Sequence, residues 1–261
     1  MKRFIVLLLT GFSLLCAMAA PNETDNKGRK QGAWSKTYAN GNLMYEGQFK
    51  DDKPVGTFKR YFESGKLKLV QTYTKGDYST VEIYEEDGKT LSMTGAYNGK
   101  QKEGEWKFYN EGKLVSSEQY KNGVRNGLAK SYAGDGAVIE EIPYTKDKIN
   151  GVKRAFLQDG KKYSEVEYEN GVENGFYKLY EGNEKPTITG QHLNGKRVGE
   201  WKIYNEKGEV DEVLTYDKNG KQTNAKEQNK QHSKTFDKKE AEHNLYREPT
   251  ELVPGASVKG M

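Results

Sequence analysis

The chain has 261 residues, of which 31% are charged and 34% are hydrophobic, and its formal net charge is +4. This apolar fraction excludes a thick globular core, for which roughly 45–50% apolar residues, glycine included, are usual. The small net charge indicates no nucleic-acid partner and gives little attraction to anionic lipid. Eighteen tyrosines accompany 29 glycines, a combination typical of strands and tight turns.

Residues 1–19 have the pattern of a secretory signal peptide. Two basic residues precede an apolar run over 4–15, and Ala17 and Ala19 occupy the small-residue positions of a cleavage site. The run is shorter than the roughly 20 residues of a membrane span. We therefore predict cleavage after Ala19, export to the periplasm or the cell exterior, and no integral membrane span after cleavage. The alternative, a lipoprotein anchored through Cys16, is disfavoured because Leu15 replaces the small residue that lipidation requires before the cysteine.

After a polar linker over 20–31, the sequence repeats itself over 32–222. Eight units begin 23 to 25 residues apart. Their first residues are Gly32, Gly56, Ser79, Gly104, Gly127, Gly151, Gly175 and Gly199. A repeat at this period indicates one supersecondary unit stacked on its neighbours, as in a solenoid.

Three columns of side chains recur in these units. The third residue of each unit is in turn Trp34, Phe58, Val81, Trp106, Ala129, Lys153, Tyr177 and Trp201. The sixth residue is usually tyrosine, as at Tyr61, Tyr84, Tyr109, Tyr132, Tyr180 and Tyr204. Near the end of each unit stand Phe49, Tyr73, Tyr97, Tyr120, Tyr144, Tyr168, His192 and Tyr216. A glycine separates the two halves of most units.

Each unit has the pattern of a β-hairpin. In the fourth unit Trp106 and Phe108 alternate with Lys107 and Tyr109, which is the period of a strand. Asn-Gly pairs stand between units at 98–99, 122–123, 170–171, 194–195 and 219–220, and they suit the primed turns of tight hairpins. We predict an all-β fold: an elongated single-sheet antiparallel β-meander, or solenoid, of about eight 24-residue β-hairpins.

Two segments resemble a known family. YEGQFKDDKPVGTFKRYFESGKL at 45–67 and LNGKRVGEWKIYNEKGEV at 193–210 are similar to MORN repeats, in particular to the bacterial variant of the YwqK-type antitoxin-like family. The residues that match its cadence are Tyr45, Glu46, Gly47, Phe49, Lys50, Lys53 and Gly56. The resemblance implies a twisted antiparallel β ribbon that acts as a scaffold.

Beyond the repeats the chain carries few groups for chemistry. Residues 223–261 are polar and mixed in charge, which predicts a flexible C-terminal tail with a short helix near 238–246. Cys16 is the only cysteine, and the three histidines are His192, His232 and His243. No histidine has a second ligand or a catalytic partner at a suitable spacing, so we predict no enzyme, no cofactor and no metal site.

The aromatic columns leave two interpretations open. Trp34, Trp106 and Trp201 form either the core of a thin sheet or a platform for a partner. If they face the core, strand alternation places the tyrosines of the sixth position on the opposite face, where they are better binding candidates: Tyr109, Tyr132, Tyr180 and Tyr204. Our first hypothesis is an exported scaffold that binds an unknown protein or peptide. The alternative is a module that binds cell-wall glycan through its aromatic rows, and lipid binding is a third.

Overall fold

The computed structural model describes residues 22–224, which form strands joined by turns. The predicted signal peptide with Ala19 and Cys16, and the predicted helix near 238–246, lie outside the described residues. The strands are Glu23–Thr24 (β1), Lys30–Thr37 (β2), Leu43–Lys50 (β3), Lys53–Tyr61 (β4), Leu67–Tyr73 (β5), Tyr78–Tyr84 (β6), Leu91–Asn98 (β7), Gln101–Asn110 (β8), Lys113–Lys121 (β9), Val124–Arg125 (β10), Gly127–Tyr132 (β11), Val138–Thr145 (β12), Lys148–Ile149 (β13), Gly151–Phe156 (β14), Lys162–Glu169 (β15), Val172–Leu179 (β16), Ile188–Leu193 (β17), Lys196–Tyr204 (β18) and Val210–Tyr216 (β19).

The strands form one open antiparallel sheet in which each strand pairs with the next along the chain. The two-residue strands β10 and β13 continue into β11 and β14 after interruptions at Asn126 and Asn150. With these joined, the sheet consists of eight hairpins preceded by the short strand β1. This confirms the predicted all-β meander of hairpin repeats. None of the described residues belongs to a helix with the length and apolar character needed to cross a bilayer.

Asn-Gly turns connect several of the units as predicted. At Asn122–Gly123 φ is 52° and 83°, and at Asn194–Gly195 it is 52° and 76°, which are the two positive values of a type I′ turn. The prediction is wrong for 219–220, where only the glycine has positive φ, and partly wrong for 98–99, where a two-residue hairpin loop forms but consists of residues 99 and 100, with positive φ at Gly99 alone. The third unit is one residue longer than most, so Asn98 stays in β7. In the final turn the carboxylate of Asp217 accepts the N–H of residue 219 instead.

The apolar core lies on one face of the sheet, which we call the tryptophan face because it carries the tryptophan rings. A central row of residues crosses it, two from each of the eight hairpins. The third residue of every unit, on the first strand of its hairpin, alternates with a residue on the second strand. In order the row is Trp34, Gly47, Phe58, Gln71, Val81, Gly95, Trp106, Glu118, Ala129, Ile142, Lys153, Val166, Tyr177, Gly190, Trp201 and Leu214.

Large rings in this row lie against glycine. A Cβ atom built on Gly95 would lie 2.3 Å from the ring of Trp106, and one on Gly190 would lie 2.2 Å from the ring of Trp201. One built on Gly47 would lie 2.1 Å from the ring of Phe58. These separations are far below van der Waals contact, so each ring covers backbone that only glycine exposes. In these three units a glycine therefore stands eleven residues before the ring, whereas Tyr177 has Val166 at that place.

Units without a large ring carry a larger side chain in place of that glycine. Glu118 stands between Trp106 and Ala129 in the row, and Ile142 stands between Ala129 and Lys153. The combined volume of neighbouring side chains therefore varies less along the central row than the volumes of the third residues do alone. The departures of the fifth and sixth units from the repeat pattern are thus compensated on the adjacent strand.

Both edges of the sheet are partly covered. Within the predicted linker over 20–31, β1 pairs with β2 through two residue pairs, and β2 already begins at Lys30. At the other edge, the N–H of Thr215 donates to the side-chain oxygen of Asn224 at 2.8 Å, and the N–H of Thr223 donates to the carbonyl of Thr215. Covered edges limit pairing with further strands, so the faces are the larger free surfaces of the described sheet.

Candidate functional site

Two of the three tryptophans are buried. Trp106 and Trp201 have 1% and 0% of their surface exposed. Their indole N–H groups donate to the carbonyls of Ala96 and Gln191, at 3.0 and 3.2 Å. In each case the acceptor follows the glycine under the ring, where the strand pairing is irregular. These two rings hold adjacent hairpins together and present no face to a ligand.

Cations of the chain itself cover the ring column. The ammonium of Lys102 lies 4.4 Å from the ring centre of Trp106 and 4.6 Å from that of Tyr120, and burial lowers its pKa. Lys30 lies 4.7 Å from the ring centre of Trp34. Trp34 is the least buried of the three, and its N–H donates to the carbonyl of Glu23 at 3.0 Å. Because a cation over a ring occupies the position that a sugar would take, the column is poorly suited to stacking on glycans.

The tyrosines of the sixth position lie on the opposite face, which we call the tyrosine face. Tyr132 and Tyr204 are partly buried, and their hydroxyls lie 3.2 Å from the hydroxyls of Ser117 and Thr189, in each case fifteen residues earlier. Tyr109 has the corresponding place in the fourth unit and is partly exposed. This geometry agrees with the face predicted by strand alternation.

Tyr180 is the most buried of the predicted tyrosines, with 7% of its surface exposed. Its hydroxyl donates to the carboxylate of Glu165 at 2.7 Å, and burial together with this bond raises the pKa of Tyr180 to about 12. Glu165 also pairs with Arg154 and Lys162 at 3.3 and 3.1 Å. Tyr180 therefore supports the sheet from this face, while Tyr109, Tyr132 and Tyr204 keep part of their surface in solvent.

Tyr204 borders an open cleft of about 1000 Å³ near the turn side of the last two units. The cleft lies between the loop over 181–187 and the turn over 205–208. The seventh unit has the usual 24 residues, but β17 begins only at Ile188, so the loop after β16 is longer than the corresponding loops of the other units. The lining includes Glu181, Glu184 and Lys207, so the cleft is charged as well as wide.

An apolar row on the tyrosine face was missed from the sequence. It consists of Leu128, Val152 and Phe176, the second residues of the fifth, sixth and seventh units, together with Pro143 on the intervening strand. Leu128 has 36% of its surface exposed, and the other three are partly exposed. In other units the same position holds small or polar residues in contact with solvent: Ala33, Thr57, Thr80, Glu105 and Glu200.

A signal for this row was present in the sequence. In the fifth to seventh units an asparagine precedes the opening glycine, and an apolar residue comes directly after that glycine, at the second position of the unit. Since successive strand residues face opposite sides, an apolar residue at the second position lies on the tyrosine face. The opening glycines differ too, with φ of 115–130° at Gly127, Gly151 and Gly175 against 66° at Gly104.

A row of cations runs beside the apolar row, two residues further along each strand. It contains Lys130, Arg154 and Lys178. Lys130 pairs with Glu141 at 3.1 Å and Arg154 with Glu165 at 3.3 Å. The ammonium of Lys178 lies 5.0 Å from the ring centre of Phe176. These partners leave the face close to neutral around the apolar row.

His192 is buried on the tryptophan face, in the column that other units fill with tyrosine or phenylalanine. It packs edge-on against the rings of Tyr177 and Trp201, and its Nε2 lies 3.4 Å from the carboxylate of Glu173. Burial lowers the pKa of His192, and the nearby Arg197 acts in the same direction while Glu173 opposes them. Across residues 22–224, no three acidic, histidine or cysteine side chains come together in a form that would hold a metal ion.

A long antiparallel sheet of stacked hairpins, with a core on one face and an exposed row on the other, defines a repeat scaffold. The model of the MORN repeat variant family matches residues 30–51, 54–75, 102–122 and 197–218, so the chain contains MORN repeats of this variant. These segments contain the four units with Trp34, Phe58, Trp106 and Trp201 at the third position. The units with the apolar row lie outside them. A search of curated proteins finds no match to the chain.

Proposed function

We propose that this MORN-repeat protein is an exported, non-enzymatic scaffold that binds a protein or peptide partner on its tyrosine face. The observation that carries the proposal is the apolar row of Leu128, Pro143, Val152 and Phe176, which stays partly exposed on the tyrosine face. Exposed apolar side chains in a contiguous arrangement mark interaction sites in soluble proteins. The covered sheet edges direct binding to a face rather than to an added strand.

The non-enzymatic part rests on the inventory of reactive groups. His192 is engaged in packing, and the single cysteine precedes the proposed cleavage site. The proposal of export rests on residues 1–19, in which basic residues are followed by an apolar run and then by small residues. The more specific resemblance to the YwqK-type antitoxin-like family rests on the sequence pattern over 45–56, and it agrees with a polypeptide as partner.

The glycan-binding alternative has less support than a polypeptide partner. Trp106 and Trp201 are buried, and Lys30 lies over the ring of Trp34. Of the predicted aromatics, Tyr109, Tyr132 and Tyr204 keep part of their surface in solvent, and they are the rings on which a sugar would have to stack.

Site-specific photocross-linking in the native cell tests the proposed function. A benzoylphenylalanine residue replaces Leu128 in one variant, and the control variants carry it at Thr57, in the same column of the second unit, or at Val210, which is 50% exposed on the last strand. We expect an adduct with a discrete polypeptide at 128 that is absent or much weaker at 57 and 210. Equal adducts at all three positions, or none, would contradict a partner on this face.

Sedimentation with insoluble cell-wall material provides the second arm. Retention of the protein in the pellet that is lost on Tyr109→Ala or Tyr204→Ala would replace the proposal with the glycan alternative. Cell fractionation in the same strain tests export, since the proposal requires the mature protein outside the cytoplasm.

A further inference from the structure

The apolar row crosses five adjacent strands at right angles to them and is apolar on four, since Glu167 takes the place in the row on β15. Leu128 of β11 pairs with Pro143 of β12, and Val152 of β14 pairs with Glu167 of β15. The carboxylate of Glu167 in turn accepts the N–H of Phe176, on β16. With strands about 4.8 Å apart, Leu128, Val152 and Phe176 follow one another at about 9.6 Å and span about 19 Å in total.

The size of the row limits what binds there. One side chain wide and about 19 Å long, it offers about 130 Å² of surface, taking about 7 Å for each side-chain repeat along a strand. A stable globular interface buries about 800 Å² on each partner. The row is therefore too small to hold a second copy of the chain or another folded domain by itself, and it suits a single segment of polypeptide.

The spacing selects the conformation of that segment. An extended strand repeats its side chains on one side every 6.6–6.8 Å or so, and two turns of α-helix advance about 10.5 Å. A polyproline-II helix has three residues per turn and rises about 3.1 Å per residue, so every third side chain recurs at about 9.3 Å. Over the two intervals of the row, the polyproline-II repeat departs by about 0.6 Å and the helical repeat by about 1.8 Å.

The neighbouring cations suit the same conformation. A polyproline-II backbone makes no internal hydrogen bonds, so its carbonyl groups remain available as acceptors. Lys130 and Arg154 carry three and five donors, and one or two of these are used by Glu141 and Glu165. Since these carboxylates also neutralise the charge, the row favours neutral carbonyl acceptors over an acidic segment.

We infer that the apolar row binds a polyproline-II segment with an apolar side chain at every third position. This inference rests on the proposed partner-binding function and specifies the form of the ligand. Pro143 and Phe176 supply the rigid apolar surfaces on which such segments dock.

Peptide binding to the whole protein tests the inference. The probe is a fluorescein-labelled peptide of four Leu-Pro-Pro repeats, and its binding is followed by fluorescence anisotropy. The comparison peptides are a proline-free peptide with leucine at every second position and an alanine-rich helical peptide with leucine at every seventh. We expect the Leu-Pro-Pro peptide to bind at least tenfold more tightly than either. Tighter binding of the strand or helical peptide would overturn the inference.

Variants of the row link binding to the surface. The triple variant Leu128→Thr, Val152→Thr, Phe176→Thr introduces the residue already present in this column at Thr57 and Thr80, so the fold is expected to tolerate it. We expect at least a tenfold loss of affinity for the Leu-Pro-Pro peptide. Unchanged affinity in a variant with wild-type circular dichroism and thermal unfolding would overturn the inference.

The matched control removes equally apolar side chains elsewhere. Val172, Leu193 and Val210 are 45%, 46% and 50% exposed and lie off the row, so their triple exchange to threonine should leave binding unchanged. Equal loss in this variant would show that general surface hydrophobicity, rather than the row, binds the peptide, and would overturn the inference.

Two outcomes separate this inference from the proposed function. If Leu128 cross-links to a discrete polypeptide but no Leu-Pro-Pro peptide binds, the polyproline-II form is wrong and the scaffold function stands. If the row instead mediates binding to vesicles of phosphatidylcholine and phosphatidylglycerol at 3:1, and neither the peptide nor a polypeptide is captured, both are wrong.

Discussion

Gly190 provides the most direct test of how the sheet packs. A Cβ atom at this position would lie 2.2 Å from Cδ2 of Trp201, whereas non-bonded carbon atoms normally lie about 3.5–4.0 Å apart. The ring is fully buried and its N–H is bonded to the carbonyl of Gln191. It therefore cannot move aside without losing contacts. We expect Gly190→Ala to reduce the free energy of unfolding by about 1–3 kcal/mol, the usual cost of overpacking.

A matched glycine exchange controls for the change of residue itself. At Gly134 a Cβ atom meets nothing within 4 Å, and φ is not in the left-handed region. Gly134→Ala should therefore be neutral or stabilising by about 0.4–1 kcal/mol, because alanine restricts the unfolded chain. Urea denaturation followed by circular dichroism measures both variants, and the expected effects have opposite signs or clearly different sizes.

A double-mutant cycle assigns the cost to the ring. Trp201→Ala alone should cost about 3–5 kcal/mol, but it frees the space above Gly190. In that background Gly190→Ala should cost nothing, which gives a coupling energy of about 1–3 kcal/mol between the two sites. An equal cost of Gly190→Ala in both backgrounds, or no cost in the wild type, would refute the account of ring and glycine as one packing unit.

Three further changes test other parts of the structure. Ala129→Trp should lower the free energy of unfolding, measured by urea denaturation, by about 1–3 kcal/mol, because Glu118 fills the adjacent place in the row. Adding Glu118→Gly should recover most of this loss. A double variant no more stable than the single one would contradict this. Burial lowers the pKa of His192, so below about pH 6.5 the unfolded chain binds more protons, and stability should fall from pH 7 to pH 5 by at most about 1.4 kcal/mol per pH unit. His192→Tyr should remove this part of the pH dependence, and equal slopes for the two proteins would count against it. Asn194→Ala, at φ 52°, should lower stability by about 1 kcal/mol, with Asn219→Ala as the control outside the left-handed region.

Most of the fold follows from local patterns in the sequence. The alternation around Trp106 identifies strands, and Asn-Gly pairs such as Asn122–Gly123 identify turns, because both depend on the chain within a few residues. The prediction failed at Asn98, where one extra residue in the unit keeps the asparagine in its strand. An Asn-Gly pair therefore predicts the position of a turn only when the length of the hairpin is also taken into account.

The candidate site was predicted less completely. Strand alternation correctly separated Tyr109 and Tyr204 from the tryptophans. It did not show that Tyr180 is buried against Glu165, since that contact joins residues fifteen positions apart on neighbouring strands. The apolar row was missed because the columns followed the third, the sixth and a late position of each unit, whereas Leu128 and Phe176 stand at the second position.

The sequence by itself determined that this protein is a series of β-hairpins, because strand period, turn residues and the 23–25-residue repeat act over short distances along the chain. Only the tertiary structure decided which aromatic rings are covered and which apolar side chains remain in solvent. In a sheet with its core on one face, the burial of a side chain is set by its partners on adjacent strands: Gly190 makes room for Trp201, whereas Glu118 takes that place beside Ala129. Cross-strand volume, rather than residue type, determines which surface is left for a partner.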